Sequence, residues 1–192
     1  TLNWQLYGYG RETNPNLSKQ SGLIAFPKVL TESNTTHKSV PMLLSNITAC
    51  NYDSIYHQKG IITTFKEAGF QTAFFSNQRY NRSFIDFFGM EADTSDFIKE
   101  DSVSLTYNPS DDELLKLVEQ ELAKGANKQF IVLHTYGSHF NYRERYPSKS
   151  AFFTPDYPAD AEPKYRDNLI NAYDNSIRYT DGFLARLIGL LE

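Results

Sequence analysis

The sequence predicts an α/β fold whose sheet is mostly parallel, doubly wound and flanked by helices. Amphipathic helical patterns alternate with apolar runs of strand length, an order typical of an open sheet with right-handed crossovers. Hydrophobic residues make up 40% of the chain and charged residues 22%, an ordinary globular composition. A chain of 192 residues is long enough to bury a sizeable core. We therefore expect residues 1–192 to form one α/β domain.

The first part of the chain carries the weaker patterns. Residues 7–20 are rich in Gly, Asn and Pro and predict a surface loop, with a short helix beginning near Pro15. The apolar stretch at 22–30 predicts a short strand that Pro27 bends or places at a sheet edge. Pro41 is followed by Met-Leu-Leu, which predicts the first turn of a helix.

The second part alternates clearly between helix and strand. A helical pattern over 61–68 ends at Gly69, and the run FQTAFFSN that follows predicts a buried strand. Another helical pattern opens at Asp111 and Asp112 and stops at Gly125.

The last third begins with FIVLHTYGSH, which predicts a central parallel strand. A long aromatic loop over 140–163 and one long helix over 165–191 complete the pattern. Ligands of open α/β sheets bind outside the carboxyl ends of strands. Those ends carry Ser76 with Asn77 and the segment 134–139, so we expect both to face one cleft.

Composition excludes several functions. The net charge is −4 and the sequence has no basic stripe, so nucleic acid is not an expected partner. Cys50 is the single cysteine, which excludes an intrachain disulfide and a thiolate metal cluster. No apolar run approaches the roughly 20 residues that a membrane helix needs. Because the chain opens without Met and its last helical pattern continues to Glu192, we expect it to belong to a longer protein.

Two adjacent threonines, Thr35 and Thr36, precede the helical pattern near Pro41 and admit two interpretations. Threonine is a good N-cap, worth about 1 kcal/mol. Alternatively, a hydroxyl at a helix N-terminus suits a nucleophile that attacks a phosphate or sulfate ester, because the helix dipole favours the anionic group. Such a hydroxyl needs a metal or a base to activate it.

Two further sets of residues admit a structural and a functional interpretation. Gly137 permits a sharp turn that presents His139 at the end of a strand, where it holds an anionic oxygen or protonates a leaving group; otherwise the histidine is structural. Asn77, Arg79 and Arg82 lie in a polar loop after a strand. Such a loop is either simply solvated or clamps a phosphate through its arginines.

The order of motifs resembles the bacterial phosphoethanolamine transferases of the lipid A-modifying type, which belong to the alkaline phosphatase/sulfatase superfamily. The resemblance covers essentially the whole chain, and the motifs are specific in combination. They are NWQLYGYGRETNPNL, TTHKSVPMLLSN, FKEAGFQTAFFSNQ, VLHTYGSHFNYRERYP and YDNSIRYTDGFLARLI.

The resemblance implies a membrane-anchored enzyme of the bacterial inner membrane whose zinc domain faces the periplasm. Such enzymes take phosphoethanolamine from phosphatidylethanolamine onto a threonine and pass it to lipid A or another surface glycan. The resemblance also implies that the Glu and the Asp-His pair that complete the zinc site fall before Thr1 and after Glu192. The chain by itself is therefore expected to be an inactive and incomplete part of the catalytic domain.

Mapped onto this sequence without gaps, the resemblance places the nucleophile position at Asn34, and asparagine cannot form the covalent intermediate. A shift of one residue gives Thr35 as nucleophile and zinc ligand, with Thr36 as the second choice. His139 matches the histidine that faces the transferred phosphate. Asn77, with Arg79 or Arg82, occupies the substrate-binding loop.

Two other functions remain open from the sequence. A sulfatase-like hydrolase or a phosphoglycerol transferase shares the fold, although no CxPSR-type segment accompanies Thr35 and Thr36. A non-catalytic binding domain that lost its metal site also fits a chain that lacks the other zinc ligands.

Overall fold

The computed structural model describes residues 4–99, 109–156 and 162–192. Contacts within the chain group it into two compact units. The first unit is drawn from Thr1–Pro27, Ser110–Asp112 and Tyr136–Glu192, and the second from Lys28–Pro109 and Glu113–Thr135. The expectation of one domain stays a prediction.

The second unit contains a three-stranded parallel sheet. Its strands are β1 (Gln71–Ser76), β2 (Thr94–Phe97) and β3 (Gln129–His134), in the order β2-β1-β3. The register pairs Ala73 of β1 with Thr94 on one side and with Ile131 on the other. A parallel sheet with helical connections confirms the predicted α/β class.

The described residues of this second unit form four α-helices: α1 (Thr36–Leu44), α2 (Ile61–Glu67), α3 (Phe84–Gly89) and α4 (Glu113–Leu122). The core draws buried side chains from α1, α2, β1 and α3, namely Leu44, Ile62, Phe74 and Phe88 together with Ile47, Ile55 and Ile85. At Gly89 a Cβ atom would come within 2.6 Å of the Phe74 ring, so only glycine allows α3 to approach β1 this closely.

The first unit is organised by α5 (Arg166–Leu191), whose buried face is partly polar. Asp181 is 1% exposed and accepts hydrogen bonds from the backbone N–H and side-chain amide of Asn16 and from the N–H of Leu17, at 2.8 to 3.0 Å. Asp174 is fully buried and accepts from the Tyr9 hydroxyl at 2.9 Å and from Arg11 at 2.7 Å. These carboxylates fix the N-terminal segment because both of them accept hydrogen bonds from its donors.

The same helix fixes the loop that precedes it. Asn175 accepts the N–H groups of Phe152 and Phe153 and donates to the carbonyl of Phe153 at 2.9 Å. The Tyr146 hydroxyl is buried and donates to Asp156 at 2.6 Å.

The structure also contains short 3-10 turns at Gln5–Tyr7, Leu17–Lys19, Tyr52–His57, Tyr142–Arg145, Ser148–Ser150 and Pro163–Tyr165.

Several predicted elements are confirmed. A 3-10 turn follows Pro15, α2 is terminated by Gly69 at φ 82° and α4 by Gly125 at φ 70°, and α5 spans almost the whole predicted range. The buried strand is β1, which ends at Ser76 as predicted.

The strand predicted at 22–30 is wrong. Within this stretch the structure has no regular element, and Ile24 is 76% and Leu30 97% exposed. An apolar run forms a strand only where a neighbouring strand accepts its backbone hydrogen bonds, and local sequence does not report that neighbour.

The start of α1 is also corrected, because the helix begins at Thr36 and places Pro41 in its interior. Proline lacks the N–H that would bond the carbonyl four residues earlier, that of His37. The Tyr52 hydroxyl donates to this carbonyl at 3.2 Å and replaces the missing bond.

The prediction of β3 as a central strand is not met, because in the described part of the chain β3 pairs with β1 alone and β1 is the central strand. The sequence does not predict α3 and β2. α3 has six residues and β2 has four, so neither shows enough periods for its pattern to stand out.

We expect Asp181→Ala to lower the free energy of unfolding by about 2–4 kcal/mol, because it leaves three N–H donors without their acceptor. Urea unfolding measures the change. Asp167→Ala on the same helix is the control, since this side chain is 90% exposed, and its expected change is within about 0.5 kcal/mol. Equal effects of both substitutions would contradict the anchoring role of Asp181.

We expect the buried Tyr146 hydroxyl to make the free energy of unfolding fall at alkaline pH. Burial, followed by its hydrogen bond to Asp156, raises the pKa of Tyr146 well above the ordinary 10.0. Since the folded state keeps a proton that the unfolded chain releases, this stabilisation is complete below pH 10 and is lost as the pH rises through the raised pKa.

Tyr146→Phe should therefore cost about 1–2 kcal/mol near neutral pH and progressively less above the ordinary tyrosine pKa. Denaturant unfolding across this pH range measures the difference. Tyr56→Phe, whose ring is 72% exposed, controls for the loss of a hydroxyl. A cost for Tyr146→Phe that grows with pH would refute the assignment.

Candidate active site

The two threonines lie at the N-terminus of the nine-residue helix α1. Thr35 occupies the N-cap position in an extended conformation, and its carbonyl accepts the N–H groups of Lys38 and Ser39 at 3.1 and 2.9 Å. Its hydroxyl makes no capping hydrogen bond to the helix. The hydroxyl lies 3.2 Å from that of Ser33 instead. Thr36 is the first residue of the helix, and both threonines are exposed.

An acidic pocket of about 550 Å³ adjoins this terminus. Its polar lining includes the carboxylates of Glu32 and Asp53, with Lys38 as the one cation among its lining residues. The other lining residues are Thr31, Ser33, Asn34, Met42, Ala49 and Tyr52. Glu32 also accepts a hydrogen bond from the Ala49 N–H, which ties this part of the loop to the segment after α1.

A second cavity, the basic groove, has a volume of about 570 Å³ and shares Lys38 and Tyr52 with the acidic pocket. It is lined by His37, Lys38, Tyr52, Tyr56, Arg82, Ser83, Phe84 and Phe87. None of these lining residues is acidic. The Lys38 ammonium lies 5.8 Å from the centre of the Tyr52 ring, and Tyr56 packs edge-on against Phe84 at 5.3 Å.

Arg82 enters the groove from a constrained loop. Its backbone has φ 60°, in the left-handed region that non-glycine residues rarely adopt. The buried carboxylate of Asp86 accepts the Asn81 N–H at 2.6 Å, and the Asn81 side chain accepts the Ser83 N–H at 3.0 Å. These bonds hold both neighbours of Arg82 and so over-determine its conformation.

The structure thus brings the predicted Arg82 into one cavity with the first turn of α1. Asn77 lies at the carboxyl end of β1, is 1% exposed and donates its side-chain amide to the Pro109 carbonyl at 3.0 Å. Arg79 is half-buried. Neither Asn77 nor Arg79 lines the basic groove, and their roles in substrate binding stay predictions.

His139 belongs to the first unit and follows Gly137, which has φ 56° as the predicted sharp turn requires. The His139 ring is exposed, contacts the Phe140 carbonyl through Nδ1 and packs edge-on to Tyr136 at 5.3 Å. The other histidine of this segment, His134, lies 3.1 Å from the Ser76 hydroxyl at the ends of β3 and β1.

The predicted zinc ligand Thr35 has no matching donor set nearby. Among residues 4–99, 109–156 and 162–192, no group of three or more His, Cys, Asp or Glu side chains is placed to hold a metal ion. The acidic pocket offers Glu32 and Asp53 but also Lys38, whose charge opposes a divalent cation. The described residues alone therefore do not fit zinc.

Sequence reasoning missed the aromatic wall of the basic groove and the carboxylates of the acidic pocket. Tyr52, Tyr56, Phe84 and Phe87 come from segments about thirty residues apart, so no local spacing relates them. The tyrosine-rich turn at 52–57 is the one local signal of this wall.

A family profile described as Sulfatase matches residues 1–192, so the chain belongs to the sulfatase family. Among curated relatives, it is 32% identical to the putative transferase YhbX of Escherichia coli K12, over 99% of the chain and 32% of the relative. It is 30% identical to the phosphatidylethanolamine transferase Mcr-2 of Escherichia coli, over 98% and 37%. It is 29% identical to the Kdo(2)-lipid A phosphoethanolamine 7''-transferase of Escherichia coli K12, over 98% and 34%.

Solved structures agree with this membership. The C-terminal periplasmic domain of EcEptC from Escherichia coli, in complex with Zn, matches with a TM-score of 0.86 and 26% identity over 98% of this chain and 55% of that one. The integral membrane protein lipooligosaccharide phosphoethanolamine transferase A from Neisseria meningitidis matches with a TM-score of 0.81 and 28% identity, over 99% and 36%. The predicted resemblance to the phosphoethanolamine transferases is confirmed. The predicted alkaline phosphatase-like fold is also confirmed.

The chain spans about a third of the length of the curated relatives it matches. In the described part of the chain, none of the helices combines the length and the apolar character that crossing a bilayer requires.

Thr35→Ala should change the free energy of unfolding by less than about 0.5 kcal/mol, because the hydroxyl does not cap α1. Asn51→Ala is the matched comparison, since its side chain accepts the Thr48 N–H at 2.6 Å and hydroxyl at 2.9 Å. Its expected cost is about 1 kcal/mol. Urea unfolding of both variants measures the contrast, and a loss of about 1 kcal/mol for Thr35→Ala would restore the capping interpretation.

Proposed function

We propose that this chain is part of a phosphoethanolamine transferase that takes phosphoethanolamine from phosphatidylethanolamine onto Thr35, with Thr36 as the alternative. The group then passes to lipid A or another cell-surface glycan. One observation carries the proposal. An exposed threonine hydroxyl stands at the N-terminus of α1 without a capping role, in a sulfatase-family chain related to named phosphoethanolamine transferases.

The helix terminus supports this chemistry electrostatically. The transferred group is anionic throughout, and the N-terminus of a helix carries positive partial charge on unpaired N–H groups. Lys38 follows the threonines in the first turn of α1 and adds a positive charge near the helix terminus. Such fixed charges stabilise the oxygens of a transferring phosphoryl group without reorganisation.

The first half-reaction joins the threonine oxygen to the phosphorus of the donor phosphodiester. The bond from phosphorus to the diacylglycerol oxygen breaks, and that oxygen gains the proton that the threonine loses. In the second half-reaction an acceptor oxygen bonds to the same phosphorus, the bond to threonine breaks, and the acceptor's proton returns to the threonine.

The acidic pocket suits the donor. Phosphoethanolamine ends in an ammonium group, and Glu32 and Asp53 line the cavity beside the threonines. Carboxylates favour a cation at short range, so the pocket supports an orientation in which the ethanolamine points away from the attacking oxygen.

Other roles complete the proposal. His139 steadies the transferred group or protonates its leaving oxygen, and Asn77 and Arg79 contribute to substrate binding. Zinc is the proposed cofactor, with Thr35 as the one ligand from this chain and the others outside residues 1–192. The complex of the EcEptC periplasmic domain with Zn supports this choice of metal. By analogy with the integral membrane relative, the proposed location is the bacterial inner membrane with this chain facing the periplasm.

The test is mass spectrometry of the full-length protein after incubation with a phosphatidylethanolamine analogue, with zinc content measured on the same sample. We expect one phosphoethanolamine group on the peptide that contains Thr35 and Thr36. Alanine at the true nucleophile should reduce adduct formation roughly 1,000-fold or more, while alanine at the other threonine leaves the adduct in place.

Thr180→Ala is the control, because this hydroxyl bonds the Ser176 carbonyl within α5 and has no proposed role in transfer. Donor consumption without any adduct would favour a hydrolase of the same family. Donor binding without consumption, on protein that contains zinc, would favour a binding domain.

A further inference from the structure

We propose that Asp111 is a positioning residue for His139, on which it acts through the Gly137 turn (residues 136–139). The inference rests on the proposed function, in which His139 steadies the transferred group or protonates its leaving oxygen. It extends that function by assigning what holds the histidine in place. Asp111, Gly137 and His139 all belong to the first unit.

The Asp111 carboxylate clamps the backbone of the Gly137 turn. One of its oxygens accepts the Tyr136 N–H and the other accepts the Gly137 N–H, each at 2.8 Å. Gly137 has φ 56°, and successive N–H groups in such a turn form a concavity that suits an anion. Hydrogen bonds to an ionised carboxylate are roughly twice as strong as neutral ones. Asp111 therefore fixes the direction of the backbone two residues before His139.

The Tyr136 side chain carries this constraint to the histidine ring. The rings of Tyr136 and His139 pack edge-on, with 5.3 Å between their centres and 81° between their planes. The Arg145 guanidinium lies 3.9 Å from the centre of the Tyr136 ring, and the Arg145 side chain is only 5% exposed. The tyrosine is thus held at its backbone by Asp111 and at its ring by a buried cation, so it offers His139 a fixed surface.

The contacts of His139 leave one ring nitrogen for the substrate. Nδ1 donates to the Phe140 carbonyl, because a carbonyl oxygen only accepts. Nε2 is then the nitrogen that holds an anionic oxygen or gives a proton to a leaving one. Either action requires a hydrogen bond of about 2.6–3.2 Å, so a small displacement of the turn is enough to remove it.

Asp111 is itself held through both of its neighbours. The Ser110 hydroxyl lies 2.7 Å from the Tyr179 hydroxyl, which donates to Asp112 at 2.9 Å. The Ser110 hydroxyl also accepts the Asp112 N–H at 3.2 Å. Because Tyr179 lies on α5, this long helix fixes the segment from which Asp111 reaches the turn. A rigid support of this kind is what a precisely placed catalytic group needs.

Hydrogen exchange in the full-length protein tests the clamp without reference to catalysis. Asp111→Asn preserves the size of the side chain but turns one acceptor into a donor, so the variant cannot accept both N–H groups. We expect the peptide that contains Tyr136 and Gly137 to exchange roughly tenfold faster. Asp181→Asn is the matched control, because that carboxylate also accepts two successive N–H groups, elsewhere in the first unit. It should leave exchange at the turn unchanged.

Formation of the phosphoethanolamine adduct tests whether the clamp acts through His139. In Asp111→Asn the rate at saturating donor should fall roughly tenfold, while the donor concentration for half-saturation changes less than about twofold, because the chemical step needs the exact geometry. His139→Ala should lose roughly 100-fold. Adding Asp111→Asn to His139→Ala should cost less than about twofold more, since the positioned ring is already gone. Asp181→Asn should keep the wild-type rate.

The outcomes separate this inference from the proposed function. Absence of the adduct in the wild type would overturn the proposed function, and with it the role of His139 assumed here. With a normal wild-type adduct, unchanged exchange at the turn in Asp111→Asn would overturn the inference alone. An equal loss of rate with and without His139 would do the same. If urea unfolding shows that Asp111→Asn does not fold, Asp111→Glu replaces it with the same expected results, because it displaces the carboxylate by one methylene group.

Discussion

The packing around Phe74 is the constraint on which the candidate site depends. This β1 side chain is fully buried in a cluster to which α1 contributes Leu44, α2 contributes Ile62 and α3 contributes Phe88. Interiors packed at this density do not let one helix shift alone. The first turn of α1 and the loop before α3 are therefore held together, because α1 and α3 pack against each other in this cluster, and the basic groove lies between these two segments.

Charge separation is the second organising feature of the site. Glu32 and Asp53 line the acidic pocket on one side of the α1 N-terminus, Arg82 lines the basic groove, and Lys38 lines both. The two neighbouring cavities therefore differ in charge, and each favours ligand groups of the opposite sign.

Much of the fold can be predicted because its signals are local. Only a few residues are needed to recognise the glycines that end α2 and α4 and the apolar run that forms β1. The exposed stretch around Leu30 misleads because a strand depends on a partner elsewhere in the chain. The sequence singles out the threonines and Arg82, but not the groove that joins Arg82 to α1. Its walls are distant in sequence, and only the fold relates them.

Tyr52 joins two of these features in one side chain. Its hydroxyl satisfies the His37 carbonyl that Pro41 leaves open, and its ring forms the wall shared by both cavities. Evolution of new specificity is consequently restricted at this position, because any residue that reshapes the wall also disturbs α1. Tyr56 and Phe87 are exposed side chains that line the basic groove but do not hydrogen-bond to the α1 backbone. Substitutions at Tyr56 and Phe87 therefore reshape the basic groove while leaving the hydrogen bond to α1 intact, whereas substitutions at Tyr52 remove it.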